Sequence, residues 1–209
     1  TEAVLAVKSV LVDLNDAAAT LPNSYNSVEN ITPLETPLSS TINGAALATP
    51  VFLSLYAEND LRLDKYFAET DEKGFRKNKK AGSNNYLCTF RVGEIYLTAA
   101  EAAARLGELS QARTRLLELM RKRYAPEAYE AKSVVVNAMD KEALVQEILD
   151  ERARELAFEG HRWFDLRRST RPRLEKVLDG TRYVLEENDA RYTLAIPKEA
   201  IEANPGLLN

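Results

Sequence analysis

Apolar residues recur at helical spacing over much of this chain, and the intervals where the recurrence stops carry as much information as the helices. Val4, Val7, Leu11 and Leu14 lie three to four residues apart, which puts them on one face of a helix expected from about Thr1 to Ala19. Leu21-Pro22-Asn23 closes it. From Ser24 to Thr49 the chain turns to Asn, Thr, Ser and Pro, with Pro33 and Pro37 inside the interval and Pro50 just beyond it. That stretch reads as a long irregular segment. Phe52, Leu55, Tyr56, Leu61, Leu63, Tyr66 and Phe67 indicate a helix, then a short helix or strand around Asn59-Asp60-Leu61-Arg62. The run from Glu69 to Asn85 is polar, glycine-punctuated and locally basic. A solvated loop is its plain reading, and a contact loop for a partner or a sugar is the functional one.

The clearest local architecture is a helix pair, from about Tyr86 to Leu106 and from Ser110 to Tyr124, joined at Gly107-Glu108-Leu109. Ala99, Ala100, Ala103, Gly107, Ala112 and Leu116 fall where a tetratricopeptide unit places its small and large packing residues. One such pair cannot bury its own face, so it must pack on the first helix and on the long helix that follows. Pro126 and the strand-prone Val134-Val135-Val136 are expected to break the chain before that helix. Asp140 can cap it, with Met139 and Leu144 as a hydrophobic staple, and it should run from about Lys141 to Arg167, bending or breaking near Gly160. Beyond Pro172, a short helix is expected to end at Asp179-Gly180. Tyr183-Val184-Leu185 and Arg191-Tyr192-Thr193-Leu194 then flank Glu186 to Ala190 in a hairpin pattern, and Lys198 to Ala203 is at most a helical turn.

Candidate chemistry concentrates in Asp150 to Arg168, where Glu151, Glu155 and Glu159 recur every four residues among Leu156, Phe158, Trp163 and Phe164. A catalytic pair, a metal site and a structural ion network all use such residues. The third is favoured, because Glu151 has Arg154, Glu159 has Arg162, and Asp165 has Arg167 and Arg168 close by. Adjacent guanidinium groups lower a carboxyl pKa, whereas a general acid needs it raised. Cys88, beside Leu87 and Phe90, reads as a small buried hydrophobe, and the single His161 as a packing residue. No Cys/His spacing resembles a metal site, and no cofactor is implied.

With 28 basic and 32 acidic residues, a net charge of -4, the 209-residue chain offers no electrostatic case for nucleic acid. Its 45% apolar content is enough to bury a core of one domain or two small ones. No stretch approaches the ~20 apolar residues of a membrane span. Thr1-Glu2-Ala3-Val4 shows neither a basic n-region nor a cleavage site, so any secretion signal lies outside this chain.

Three segments together carry a family resemblance. Glu151 to Arg168 resembles the "ER-x-x-EL-x-FEG-x-R-x-x-DL-x-R" signature of SusD/RagB-like proteins, the glycan-binding surface lipoproteins of Bacteroidetes. Phe90 to Ala102 resembles their "R-x-x-E-x-YL-x-x-AEA" helix. Tyr192 to Pro197 with Asn204 to Asn209 resembles their "IP … NP-x-L-x-QN" terminus, Leu208 standing where the family usually has Gln. Order and spacing agree over residues 86 to 209.

The resemblance implies a mostly α fold: a tetratricopeptide-like helical-repeat scaffold with long irregular loops and a small C-terminal β-hairpin. It implies a single domain over 1–209, shortened relative to full-length members, which normally carry further helices within the interval after residue 23. It also implies non-catalytic binding of oligosaccharide or another nutrient, and delivery to a TonB-dependent, SusC-like outer-membrane transporter. The parent protein would face outward, anchored by a lipidated Cys outside this chain. Sugar contacts are expected on loops, and residue type alone suggests Tyr25, Tyr56, Phe75, Asn84, Asn85 and Tyr86. For each of these aromatics, beside aliphatic neighbours, a place in the core is the more common outcome. A partner-binding helical scaffold without a sugar site and a glycosidase using the Glu cluster are the alternatives.

Overall fold

The computed structural model describes residues 10–24, 26–33, 47–80, 89–178, 180–204 and 206. In chain order these form β1 (Asn30–Pro33), β2 (Leu47–Ala48), α1 (Pro50–Leu53), α2 (Arg62–Tyr66), β3 (Phe67–Thr70), β4 (Arg76–Asn78) and β5 (Thr89–Arg91). There follow α3 (Val92–Leu106), α4 (Leu109–Met120), α5 (Pro126–Ala138), α6 (Lys141–Glu155), α7 (His161–Arg168), the hairpin β6 (Leu174–Leu178) and β7 (Thr181–Leu185), and α8 (Lys198–Ala203). The fold is mostly helical with a small C-terminal hairpin. It divides into two compact units, Thr1–Arg162 and Trp163–Asn209.

The first unit is built on α3 and α4, which can lie close because Ala100, Ala104 and Ala112 put only methyl groups at their contact, all fully buried. Gly107, at φ 87°, closes α3 in the left-handed conformation that costs glycine least. Leu116, Leu119 and Met120 of α4, Val136 of α5, and Leu144 and Ile148 of α6 complete this core. A second cluster gathers Val12, Leu14, Ala48, Tyr56, Tyr66, Phe67 and Ala157. Two small antiparallel sheets, β1–β5 and β2–β4–β3, edge these clusters.

Several expected elements are corrected. Val10 to Ala19 is a series of turns rather than a helix, and Thr1 to Ser9 lie outside the described residues. Asp13 and Asp16 accept from the amides of Asn15 and Ala18, so their side chains compete with helical bonding. Distant partners take other backbone groups, the Val12 amide donating to Glu29 and the Leu14 amide to the Lys122 carbonyl. Pro126 starts a helix instead of breaking one, since the first helical position needs no N–H. Val134 to Val136 continue it, because burying Val136 outweighs the few tenths of a kcal/mol that each β-branched residue costs. Within the polar run, Arg76–Asn78 is a strand, paired on both sides.

Asp140 caps α6 as expected, accepting from the Ala143 amide at 2.8 Å, and Met139 and Leu144 share one cluster. The chain then breaks over Leu156–Gly160, with Phe158 at φ 61° and Gly160 at φ 85°. Phe158 holds its unfavourable backbone through edge-to-face contacts with Phe52 and Phe67, at 6.1 and 6.0 Å.

In the second unit the hairpin pairs Leu174–Leu178 with Thr181–Leu185, not the segments flanking Glu186 to Ala190. Gly180, read with Asp179 as a helix end, lies between the two paired strands at φ 76°, Asp179 being outside the described residues, and Asp-Gly is a strong hairpin signal in its own right. Ala190–Tyr192 is a 3-10 turn capped by Asp189, and Trp163 stacks on the buried Tyr192 at 5.2 Å. Among the described residues no helix is long and apolar enough to cross a membrane.

Candidate functional site

Helical spacing aims Glu151 and Glu155 into the first unit, and the break after α6 brings Glu159 beside them, where guanidinium groups from three other segments and the Lys80 ammonium meet them. Glu155 is the hub: Oε1 accepts from Arg91 Nη1 at 2.6 Å, and Oε2 from Arg123 Nε at 2.9 Å and Arg62 Nη1 at 3.1 Å. Glu151 accepts from Arg62 at 2.7 Å, Arg154 at 2.8 Å and the Tyr124 hydroxyl at 3.1 Å. Glu159 accepts from Arg91 through two nitrogens, at 3.0 and 2.9 Å, and from Lys80. Glu29 accepts from Arg91 at 3.2 Å and Arg123 at 2.5 Å, while Asp60 holds Arg62 in a fork at 2.9 and 2.8 Å. Five carboxylates (Glu29, Asp60, Glu151, Glu155, Glu159) therefore face five cations (Arg62, Lys80, Arg91, Arg123, Arg154), all buried. The charges balance, which is the condition for burying them.

The electrostatics make Glu151, Glu155 and Glu159 unsuited to acid catalysis. Burial alone would raise the Glu151 carboxyl, but Arg62 and Arg154 outweigh it and hold the group at about 2. For Glu155, burial is likewise overcome by Arg123, Arg91 and Arg62, and the carboxyl lies well below its usual range. Glu159 is lowered against burial by Arg91 and Lys80. Burial dominates at Lys80, reinforced by Arg91, and brings its ammonium down to about 8 in spite of Glu159. Lys80 nonetheless remains protonated at neutral pH, and its Nζ also bonds the Glu155 carbonyl at 2.5 Å at the end of α6.

The expected local pairs Glu151–Arg154 and Asp165–Arg168 form, at 2.8 and 2.6 Å. Glu159 takes Arg91 and Lys80, because the break at Leu156–Gly160 removes the helical register on which Arg162 was chosen. His161 Nδ1 lies 3.5 Å from Glu94, and no group of metal-ligating side chains occurs among the described residues.

The network also fixes a surface. Arg123 Nη1 donates to the Val12 carbonyl at 2.5 Å, and Glu29 accepts the Val12 amide at 2.8 Å, so both backbone groups of one residue are clamped. Lys122 Nζ reaches Asp13 at 2.9 Å, and Asn15 Nδ2 the Tyr124 carbonyl at 3.3 Å. Leu11 to Asn15 thus forms one wall of an open cleft of about 590 Å³. Glu118, Arg121 and Lys122 at the end of α4, Pro126, Tyr129 and Glu130 at the start of α5, and Tyr96 of α3 supply the rest. Planar amide, carboxylate and guanidinium groups beside two phenol rings and a proline suit hydroxyl-rich, ring-shaped ligands. Asp13 is no proton donor, since Lys122 and Asn15 outweigh its burial and lower its pKa.

None of the described residues singled out from sequence lines this cleft. Tyr56 is core, its hydroxyl donating to the Arg154 carbonyl at 2.8 Å. Burial pushes its phenol far above the ordinary value, although Arg62 opposes the shift. Phe75 is half-buried in the turn between β3 and β4, where its amide donates to Asp71. Tyr25, Asn84, Asn85 and Tyr86 lie outside the described residues, as does Cys88. Tyr129 and Tyr96 were missed, the first because Pro126 reads as a breaker and the second because its motif reads as packing. A proline opening a helix was the available signal.

Residues 45–209 match the SusD family. The chain belongs to that family. A SusD-like carbohydrate binding protein from Bacteroides vulgatus is 18% identical, with a TM-score of 0.62 over 98% of this chain and 53% of that one. A SusD superfamily protein from Bacteroides fragilis is 24% identical, with a TM-score of 0.55 over 74% of this chain and 34% of that one. Likeness at this level shows the fold, and the chain spans about half the length of the first of these structures or less of the second. No curated protein matches the sequence. SusD-family proteins are binders rather than catalysts, and in this member the signature from Glu151 onward is spent on internal ion pairs.

Proposed function

We propose that this chain belongs to a surface protein of the outer membrane that binds oligosaccharide, or another nutrient, and passes it to a TonB-dependent, SusC-like transporter without chemical change. Family membership over residues 45–209 carries this reading. The Bacteroides vulgatus relative, a SusD-like carbohydrate binding protein, supports carbohydrate as the ligand. A lipid anchor on the parent protein would keep the binding face at the cell surface.

Within the chain, the cleft beside Leu11 to Asn15 is the proposed ligand face. Tyr129 and Pro126 offer apolar faces for sugar C–H groups, and Arg121, Glu118 and Glu130 offer hydrogen-bonding partners for hydroxyls. Phe75, with Tyr25, Asn84, Asn85 and Tyr86, is proposed as a further contact set. Hydrolysis finds no acid in Glu151, Glu155 or Glu159, all three being held low.

Native affinity electrophoresis through gels containing a panel of neutral polysaccharides tests the proposal. Retardation on at least one gel, lost in Tyr129→Ala and weakened in Arg121→Ala, is the expected result. Free migration on every gel, together with failure of the protein expressed in a Bacteroides host to co-purify a TonB-dependent barrel, would overturn it.

A further inference from the structure

The hairpin β6–β7 carries a second, smaller concavity of about 220 Å³, bordered by Leu174, Lys176, Tyr183, Val184, Leu185 and Arg191. The register sets Leu174 opposite Leu185 and Lys176 opposite Tyr183. Alternation along each strand therefore puts these four on one face, with Lys176 and Tyr183 within ~5.5 Å at Cβ. The tyrosine is 56% exposed, an aromatic side chain left open to solvent rather than folded into the core.

Two cations border that ring, and they differ in kind. Arg191 is fixed: Nε and Nη2 bond the Asp189 carboxylate at 2.9 and 2.7 Å, and Nη2 also donates to the Val184 carbonyl at 2.8 Å. Its Nη1 has no partner among the described residues, so a rigid guanidinium edge is presented with donors to spare. Lys176 is a flexible ammonium with no ion pair among the described residues. The nearest strand carboxylate, Glu175, belongs to the opposite face and is engaged by Arg173 at 2.9 Å and Arg182 at 2.6 Å. Glu186, whose charge also acts on Arg191, is bonded by Arg173 at 3.2 Å, so the four cations Arg173, Lys176, Arg182 and Arg191 exceed the carboxylates Glu175, Glu186 and Asp189 by one positive charge at this spot, on a chain whose net charge is -4.

We infer that this concavity is a subsite for one carboxylated sugar ring, a uronate. A pyranose presents an apolar C–H face, which fits the open Tyr183 ring and the Leu174–Leu185 pair. A carboxylate at the edge of the same ring reaches Lys176 and the free edge of Arg191, where a neutral sugar has only a hydroxyl. The volume is below the ~300–1,000 Å³ of pockets for drug-sized ligands, which limits the occupant to a single residue or a chain end. The inference rests on the reading of the protein as a sugar binder, yet it uses no residue of the cleft.

Titrating the ¹⁵N-labelled chain with D-glucuronate, D-glucose and acetate, followed by amide NMR, tests it. Glucuronate should shift the amides of Lys176, Tyr183 and Arg191 saturably, whereas glucose and acetate, each lacking one half of the recognition, should bind at least ~10-fold more weakly. Tyr183→Ala and Lys176→Gln should each weaken the glucuronate response ~10-fold or more, and the two exposed positions leave the fold intact by the same spectra. Raising NaCl from 0.05 to 0.5 M should weaken it too. Equal responses to glucuronate and acetate, or no shift at the hairpin, would sink the subsite. Retardation on a neutral polysaccharide, with its dependence on Tyr129, is read independently, so failure of the hairpin and failure of the binding role are separate results.

Discussion

Replacing Arg123 by alanine removes the cation that joins the hub of the ion network to the wall of the cleft. Its Nε bonds Glu155 at 2.9 Å, Nη2 bonds Glu29 at 2.5 Å, and Nη1 bonds the Val12 carbonyl at 2.5 Å, all without solvent. Arg91 and Arg62 still face Glu155, and Arg91 still faces Glu29, so five carboxylates are left with four cations. One uncompensated buried charge costs about 3 to 5 kcal/mol, a large part of the ~5–15 kcal/mol that separates folded from unfolded chains. For a chain of this size each kcal/mol moves Tm by about 2 to 4 °C, giving a fall of about 6 to 20 °C. Differential scanning calorimetry of Arg123→Ala beside Arg105→Ala supplies the contrast, because Arg105 pairs with Glu101 from a half-exposed position and such pairs contribute at most ~1 kcal/mol. If Arg123→Ala melts within ~2 °C of the parent, or no lower than Arg105→Ala, the network is not the closed, dry arrangement described above.

Acid should expose the same network. Glu151, Glu155 and Glu159 have folded pKa values below their unfolded ones, so the unfolded chain binds more protons as pH falls. Their stabilisation is complete above ~4.5 and is lost toward pH 2. Glu151 alone, at about 2 instead of 4.5, accounts for about 3 kcal/mol. Urea midpoints that drop as much from pH 7 to 5 as from pH 5 to 3 would contradict this. Gly93→Ala should destabilise by about 1 to 3 kcal/mol despite alanine's better helix propensity, because the new methyl would meet Arg91 Nη1 at 2.6 Å and the Glu29 and Glu155 carboxylates at 3.1 and 3.2 Å. A raised melting temperature would mean that those groups have room to yield. Asp140→Ala should cost about 1 kcal/mol by leaving the Ala143 amide uncapped, and Asp140→Asn should restore most of it in equilibrium unfolding.

What was legible in the sequence is what depends on neighbours along the chain. The α3–α4 pair, the Asp140 cap, the break before Gly160 and the Glu151–Arg154 pair all follow from spacing over a few residues. Crowding of charge with aromatics correctly announced a buried network, but Arg62 is 89 residues from Glu151, Arg91 is 64 and Arg123 is 32 from Glu155, and Glu29 is 94 from Arg123, so nothing local names these pairs. Val10 to Ala19 carries a helical pattern, yet its backbone groups are claimed by Glu29, Arg123 and Lys122 from elsewhere. The cleft escaped for the same reason, since Leu11, Tyr96, Arg121 and Tyr129 become neighbours only after that segment docks.

The clamped network also bears on how the chain reaches its native state. Each charge cluster is completed by segments far apart in sequence, Glu29 with Arg123 across 94 residues and Arg62 with Glu151 across 89. A partly assembled form that held α6 in place but left Glu29 or Arg62 in water would bury charge without its partner, a state several kcal/mol uphill. Intermediates are therefore penalised and the segments must arrive nearly together, so refolding should be slow for a helical protein, with loop closure rather than helix formation setting the rate.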